Sequence, residues 1–173
     1  LIVGGGPAGL FAAENAASEG ARVVIADSKP SVGRKFLVAG KSGLNLTNDE
    51  PFEAFLDRYA QSSTRMSQPL RQFDNTALRA WADGLGFSTF VSAGGKVFPD
   101  PMKAAPLLRA WIRRLRGMGV EFAMRHQLTG LKCASNGVMG QFGESEIMAD
   151  AVILALGGAS WPKTGSTASW LPL

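Results

Sequence analysis

An α/β fold with a parallel sheet is predicted by three stretches of this 173-residue chain. Leu1-Ile-Val3 is an apolar strand that runs directly into Gly4-x-Gly6-x-x-Gly9 and a helix-forming stretch over residues 10–18. Arg22-Val-Val-Ile-Ala26 reads as a second strand, ended by Asp27. Ala151-Val-Ile-Leu-Ala-Leu156 is a further apolar run, ended by Gly157-Gly158. A continuous apolar run is expected of a parallel strand buried on both faces. Strand, glycine turn, helix and strand in succession make a crossover unit, whose two strands are parallel.

The glycine turn carries the first chemistry. Gly4 allows the tight turn, Gly6 lets the backbone approach a pyrophosphate, and Gly9 lets the helix pack on the strand. Phosphates would sit on the unpaired N–H groups and the positive dipole end of the new helix. In this strand–turn–helix context the motif reads as a dinucleotide-binding fingerprint. Gly20 stands where a left-handed helix cap is expected. Asp27 ends the second strand, where an acid reaches the ribose hydroxyls of the adenosine half; a turn-capping role is the alternative.

Residues 28–48 turn the reading from nicotinamide towards FAD. A simple nicotinamide-binding half would continue with another helix and strand. Here Pro30, Gly33, Gly40, Gly43, Ser31, Ser42, Asn45, Thr47 and Asn48 favour turns and exposed backbone donors over a long helix. Such an ordered loop can run beneath an extended FAD, and Gly33-Arg34-Lys35 adds a cationic patch near the pyrophosphate. Residues 51–59 and 75–85 read as two short helices, the second capped by Asn75 or Thr76 and stopped by Gly84 or Gly86. Residues 87–91 and 96–98 are extended pieces around Ala93-Gly-Gly95.

A basic amphipathic helix then leads to a third strand, residues 120–124. Three short segments follow at 127–133, 138–142 and 144–148, linked with hairpin chemistry at Ala134-Ser-Asn-Gly137 and Gly143. A three-stranded meander after a β-α-β unit is expected in FAD domains and not in a plain nicotinamide domain. In a 3-2-1-4 order the run at 151–156 lies beside the first strand, so its glycines face the switch-point crevice from the other side.

Taken together, Gly4-Gly-Gly-Pro-Ala-Gly-Leu10, Asp27, Gly33-Arg-Lys35, Ala39-Gly-Lys-Ser-Gly-Leu-Asn-Leu-Thr-Asn48, Gly94-Gly-Lys-Val-Phe-Pro99 and Leu154-Ala-Leu-Gly-Gly-Ala-Ser-Trp-Pro162 resemble the bacterial BaiN/RdsA-like NAD(P)/FAD-dependent oxidoreductases, within an uncharacterised flavoprotein subfamily. The resemblance implies a Rossmann-like FAD-binding domain of the glutathione-reductase type. By it, Gly4, Gly6 and Gly9 hold the pyrophosphate, with Pro7 and Ala8 beside them, and Asp27 and Ser28 meet the ribose. Gly33, Arg34, Lys35, Gly40 and Asn45 approach the cofactor along the loop. Leu128 offers its backbone to adenine, and Ala155, Gly157 and Gly158 close the other side, with Pro162-Lys-Thr-Gly-Ser166 continuing towards the flavin. Two departures stand out. Relatives read Gly-Arg-Cys-Asn where this chain has Ser42-Gly43-Leu44-Asn45, and Ala-Thr-Gly-Gly where it has Ala155-Leu156-Gly157-Gly158. The resemblance also implies that residues 1–173 are one FAD-binding domain, lacking the family's substrate-facing insertion and final FAD segment.

Composition narrows the function classes. With 46% hydrophobic and 18% charged residues the chain reads as soluble and globular. No apolar run approaches the ~18 residues of a membrane span, and no secretory signal is visible. The chain opens inside a strand without an initiator methionine, which reads as part of a longer protein. The single cysteine excludes an internal disulfide framework and a dithiol redox pair, and fits a reducing cytoplasm. Residues 101–120 hold Lys103, Arg109, Arg113, Arg114 and Arg116 without one acid, which accounts for the whole net charge of +4. Arg109, Arg113 and Arg116 share a face opposite Leu107, Leu108, Trp111, Ile112 and Leu115, the pattern of a solvated face on a packed helix. Nucleic-acid binding is therefore not expected. His126 lacks a carboxylate or metal partner in the sequence and reads as structural; Cys133 reads as buried and inert. No catalytic acid or base and no metal ligand set can be picked out, and the sequence is silent on oligomeric state. The reading is an FAD-dependent oxidoreductase moving hydride through the flavin, with NAD(P)H as a donor and a small-molecule substrate. A flavin-dependent RNA-modifying protein and an inactive cofactor-binding fragment are the alternatives.

Overall fold

The computed structural model describes residues 1–159, 168 and 170. Its contacts divide the chain, read above as one domain, into two units: residues 1–38 with those from Ile112 onward, and residues 39–111.

In chain order the first unit opens with β1 (Ile2–Val3), α1 (Pro7–Ser18) and β2 (Val24–Asp27), followed by the short helix α2 (Arg34–Ala39). α1 begins three residues before the expected start, because Pro7 at its first position has no N–H to satisfy and a φ already suited to a helix. It ends as expected: Gly20 has φ +84°, its N–H donates to the Ala17 carbonyl at 3.1 Å, and Ala21 N–H donates to Ala16 at 3.0 Å. This is a paired-carbonyl cap that a glycine adopts without strain. α2 interrupts what the composition marked as turns.

The second unit holds β3 (Thr47–Asn48), α3 (Phe52–Asp57), α4 (Ser63–Gln72), α5 (Asn75–Gly84), β4 (Thr89–Val91) and β5 (Lys96–Pro99). Its antiparallel sheet has the order β3-β5-β4. Leu44, Leu70, Ala82 and Val97 are buried in this unit. No helix is expected from the sequence at α4, an amphipathic but predominantly polar segment with Pro69 inside it and only Leu70 buried. α5 is capped by Asp74, not by Asn75 or Thr76: the Asp74 carboxylate accepts the Ala77 N–H at 2.7 Å. Asn75 is the first helical residue, and its side chain is used elsewhere. α6 (Ala104–Gly117) is the basic helix; Trp111 meets Trp81 edge-on at 4.8 Å.

The first unit resumes with β6 (Glu121–Met124), β7 (Gly130–Ala134), β8 (Gly137–Phe142), β9 (Ser145–Ala149) and β10 (Ile153–Leu154). The sheet order is β10-β1-β2-β6, every pair parallel, which is the 3-2-1-4 order the sequence predicts. β7, β8 and β9 form the antiparallel meander. Val3 and Ala26 from the parallel sheet pack with Leu128 and Phe142 from the meander region, flanked by Leu1, Ala123, Ile147, Val152 and Leu156. Each such large side chain contributes roughly 1.5–3 kcal/mol on burial. The result is a Rossmann-type α/β fold, parallel sheet plus three-stranded meander.

Two burial expectations fail. The run at 151–156 forms only a two-residue strand, and Ile153 and Leu154 are 44% and 52% exposed. Among the described residues β10 pairs with β1 alone, so one flank is uncovered. Cys133 is exposed as well, because β7 is an outer strand of the meander and nearly all of its residues face solvent.

Candidate functional site

The turn between β1 and α1 divides its glycines into two kinds. At Gly9 a Cβ would lie 1.8 Å from the Gly4 carbonyl oxygen, and at Gly4, with φ +108°, it would lie 2.3 Å from the Ala155 oxygen. Both contacts are to backbone, so no rotamer relieves them. At Gly6 a Cβ would meet nothing within 4 Å among the described residues. The motif is thus sealed on its protein side and open at its centre, directly at the N-terminus of α1. Gly6 is the N-cap in extended conformation; no side chain caps the helix and its first turn has no acidic residue. The early N–H groups of an uncapped helix are unsatisfied donors at the positive end of the dipole. An anion is the chemical complement of that arrangement, as at phosphate-binding helix starts.

Gly5 is constrained as Gly4 and Gly9 are, although the spacing treats it as a free position. Its Cβ would lie 2.4 Å from Val32 Cγ1 and 3.1 Å from Asp27 Oδ2. Its N–H donates to Asp27 Oδ2 at 2.7 Å, and its carbonyl accepts the Gly33 N–H at 2.7 Å. Three glycines in a row were the available signal. Asp27 Oδ1 accepts the Lys29 N–H at 2.7 Å, a local turn bond. The carboxylate at the end of β2 therefore ties the glycine turn to the 28–33 loop. Both roles foreseen for Asp27 remain chemically open to it, since an ionised carboxylate has about four acceptor sites and two are used here. Gly33 in turn sets Arg34 and Lys35 at the start of α2; Arg34 is exposed and Lys35 half-buried.

On the other side of β1, Ala155 N–H donates to the Val3 carbonyl at 2.8 Å. Gly157 and Gly158 follow, both exposed, and Trp170 Nε1 donates to the Gly157 carbonyl at 2.9 Å. The structure thus brings Gly4, Gly6, Pro7, Ala8, Gly9, Asp27, Gly33 and Ala155 around one turn. Ser28 lies exposed just beyond Asp27, and the Leu128 side chain is in the core. Gly40 and Asn45 belong to the other unit, each with a local explanation. A Cβ at Gly40 would lie 2.4 Å from that of Ala104. The Asn45 amide, with its nitrogen turned to the carbonyls, donates to Thr47 at 2.7 Å and Val97 at 3.2 Å. The stretch at 162–166 lies outside the described residues.

His126 Nδ1 lies 2.9 Å from the Met124 carbonyl, and its ring meets Phe142 edge-on at 5.8 Å. Arg109, Arg113 and Arg116 are exposed. Arg114, by contrast, donates to Glu14 Oε1 at 2.8 Å, and the Arg116 guanidinium lies over the Phe122 ring. Among the described residues no helix is long and apolar enough to cross a membrane.

Comparison with known proteins agrees with this architecture. Residues 1–173 match the family model described as the HI0933-like protein Rossmann domain. A 3-dehydro-bile acid delta(4,6)-reductase of Clostridium scindens is 32% identical over 97% of this chain and 41% of its own length. A ribosomal RNA dihydrouridine synthase of Haemophilus influenzae is 25% identical over 96% of this chain and 42% of its own length. The chain therefore spans about two fifths of these curated relatives. Among solved structures, Thermovibrio ammonificans THI4 matches with a TM-score of 0.56 at 20% identity, over 94% of this chain and 59% of that one. A flavocytochrome c3 fumarate reductase in its open conformation matches with 0.52 at 19% identity, over 91% and 33%. Likeness at such identities establishes the fold.

Proposed function

Because the chain belongs to the family of the HI0933-like protein Rossmann domain, we propose that it is the FAD-binding part of an oxidoreductase that acts on a small molecule. The observation that carries this reading is the glycine turn: closed by backbone at Gly4 and Gly9, open at Gly6, and braced by Asp27 through Gly5. Bound FAD supplies hydride transfer, with NAD(P)H as the donor, and the protein supplies position and electrostatics. The N–H groups of Ala8 and Gly9 hold the pyrophosphate, Pro7 fixes the direction of the helix start, and Arg34 and Lys35 offset phosphate charge. Asp27, beside Ser28, keeps acceptor sites for the ribose hydroxyls. Gly33, Leu128, Ala155, Gly157 and Gly158 lend backbone surface; Gly40 and Asn45 join the set on family resemblance. A single cysteine suits a reducing cytoplasm. Identity to the reductase of Clostridium scindens favours a small-molecule substrate.

Reconstitution of the purified chain with FAD tests the proposal. After free cofactor is removed, the visible spectrum is expected to show retained flavin, and denaturation to release FAD. Gly6→Ala is expected to lose that flavin with its melting temperature nearly unchanged, because the new methyl group occupies only the open space. Retention of NAD in place of flavin, or no retention by the unaltered chain, ends this reading. The exposed Arg109, Arg113 and Arg116 support RNA as a second candidate substrate, in the manner of the Haemophilus influenzae relative. That reading requires salt-dependent RNA binding abolished by charge reversal of the three arginines.

A further inference from the structure

We propose that residues 39–111 carry a binding site of their own, for an uncharged molecule of one or two rings bearing a hydroxyl or carbonyl group. A cavity of about 340 Å³ lies within this unit, at the small end of the ~300–1,000 Å³ typical of ligand pockets. Phe55, Tyr59, Leu70, Phe73 and Leu78 give it apolar and largely aromatic walls, and Thr47 also lines it. Phe55 and Tyr59 hold each other edge-on at 5.9 Å. Flat, rigid walls of this kind favour a ring.

The polar requirement comes from Thr47. It is 8% exposed, and its hydroxyl is buried without a hydrogen-bond partner among the described residues. Buried polar groups are nearly always paired, so such a group calls for a partner from outside the chain. Its polar neighbours are already committed. Asn75 Nδ2 donates to the Asn48 and Glu50 carbonyls, both at 2.9 Å, and its Oδ1 accepts the Thr76 N–H at 3.1 Å. The Asn45 amide faces the Thr47 and Val97 carbonyls. A hydroxyl both donates and accepts, so either a hydroxyl or a carbonyl on the ligand satisfies it.

Charge decides the rest. Among the described residues no Lys, Arg or His lines the cavity, so an anion would meet no counter-charge from them. The one acid there, Asp74, is bound to the Ala77 N–H at the start of α5. Its charge is already complemented by the helix dipole, which leaves little attraction for a cation. The site shares Asn45 with the cofactor set carried by family resemblance, and its other lining residues lie outside that set.

Tyr59 is the only tyrosine of the chain, so fluorotyrosine labelling gives a single fluorine resonance inside the cavity wall. The cofactor-free chain is titrated at neutral pH with naphthol, naphthoate and the ammonium ion of naphthylmethylamine. Naphthol is expected to give a saturable shift and the two ions none. Thr47→Val keeps the shape and removes the hydroxyl; it is expected to weaken naphthol binding about fivefold to tenfold with a melting temperature equal to or above that of the unaltered chain. Four results would each overturn the proposal: no saturable shift with naphthol, stronger binding of either ion, unchanged affinity in Thr47→Val, or a lowered melting temperature in that variant. FAD alone displacing naphthol from Tyr59 would also overturn it, by making the cavity part of the cofactor site.

Discussion

β1 and β10 are neighbours with matched residues, Ile2 opposite Ile153 and Val3 opposite Leu154, and each runs into glycines. Ile2 and Val3 are 2% and 3% exposed, while Ile153 and Leu154 are 44% and 52% exposed. The side-chain types, the ladder and the strand direction are shared, so chemistry does not distinguish them. Position does: β1 has a strand on each side, and among the described residues β10 has one only. Apolar patterning therefore specifies that a segment pairs, while its place in the sheet decides what covers it. The glycines after the two strands differ in the same way. Gly9 sits against backbone, and among the described residues a Cβ at Gly158 would meet nothing within 4 Å.

The largest effect is expected from putting one methyl group into each turn. Gly9→Ala sets a Cβ against the Gly4 carbonyl oxygen, and relief requires moving α1 away from β1. The cost is expected to exceed about 4 kcal/mol, the range of backbone clashes and core disruption. Gly158→Ala is expected to stay within about 0.5 kcal/mol, as surface changes do. Chemical denaturation of both variants measures the contrast. Equal losses would mean that the turn after β10 is as tightly enclosed as the turn after β1.

A smaller difference is expected in the strands themselves. Ile2→Ala removes a fully covered side chain and should cost about 2–5 kcal/mol through lost transfer energy and the cavity left behind. Ile153→Ala removes contacts that water already shares and should cost less than about 1 kcal/mol. If Ile153→Ala approached the cost of Ile2→Ala, position in the sheet would not be what separates the two strands.

The same distinction explains what could be read from the chain. The glycine turn, Asp27, the Gly20 cap, the parallel order and the meander rest on local patterns, so they were legible. Gly5 was not, because its constraint comes from Val32 and Asp27, which only the folded loop brings to it. The solvent exposure of β10 and Cys133 depends on which strand ends up outermost, a property of the sheet. α4 escaped notice because it is polar on average, carries Pro69 and buries only Leu70, so its amphipathic pattern does not stand out as a broad apolar stripe. Asp74 lost the cap assignment to Asn75 and Thr76 because all three residue types suit an N-cap, and only geometry places Asp74 on the Ala77 N–H. For the candidate site, spacing marked the residues around the β1 turn, and the structure separated Gly6, with free space, from Gly4 and Gly9, which have none.

The smallest effect is expected where one partner of an ion pair stays in solvent in both the folded and unfolded chain. Glu50 pairs with Arg58 in the second unit; the Arg58 side chain is 60% exposed and that of Glu50 14%. The hydrogen bond from Arg58, aided by its charge, holds the Glu50 carboxyl below its ordinary pKa, and partial desolvation opposes this. A carboxyl depressed in the folded state stabilises above its unfolded pKa, and that contribution disappears as pH falls through the folded value. Exposed ion pairs contribute little, so Glu50→Gln should lower stability only slightly at neutral pH. The difference from the unaltered chain should close on acidification through the carboxylate range. Urea denaturation of the two proteins across that range measures both points. A loss at neutral pH larger than that of Ile153→Ala would reverse the ranking, since an ion pair with one partner in solvent would then outweigh a half-covered side chain. A difference that grew on acidification would show that the carboxylate is destabilising where it stands.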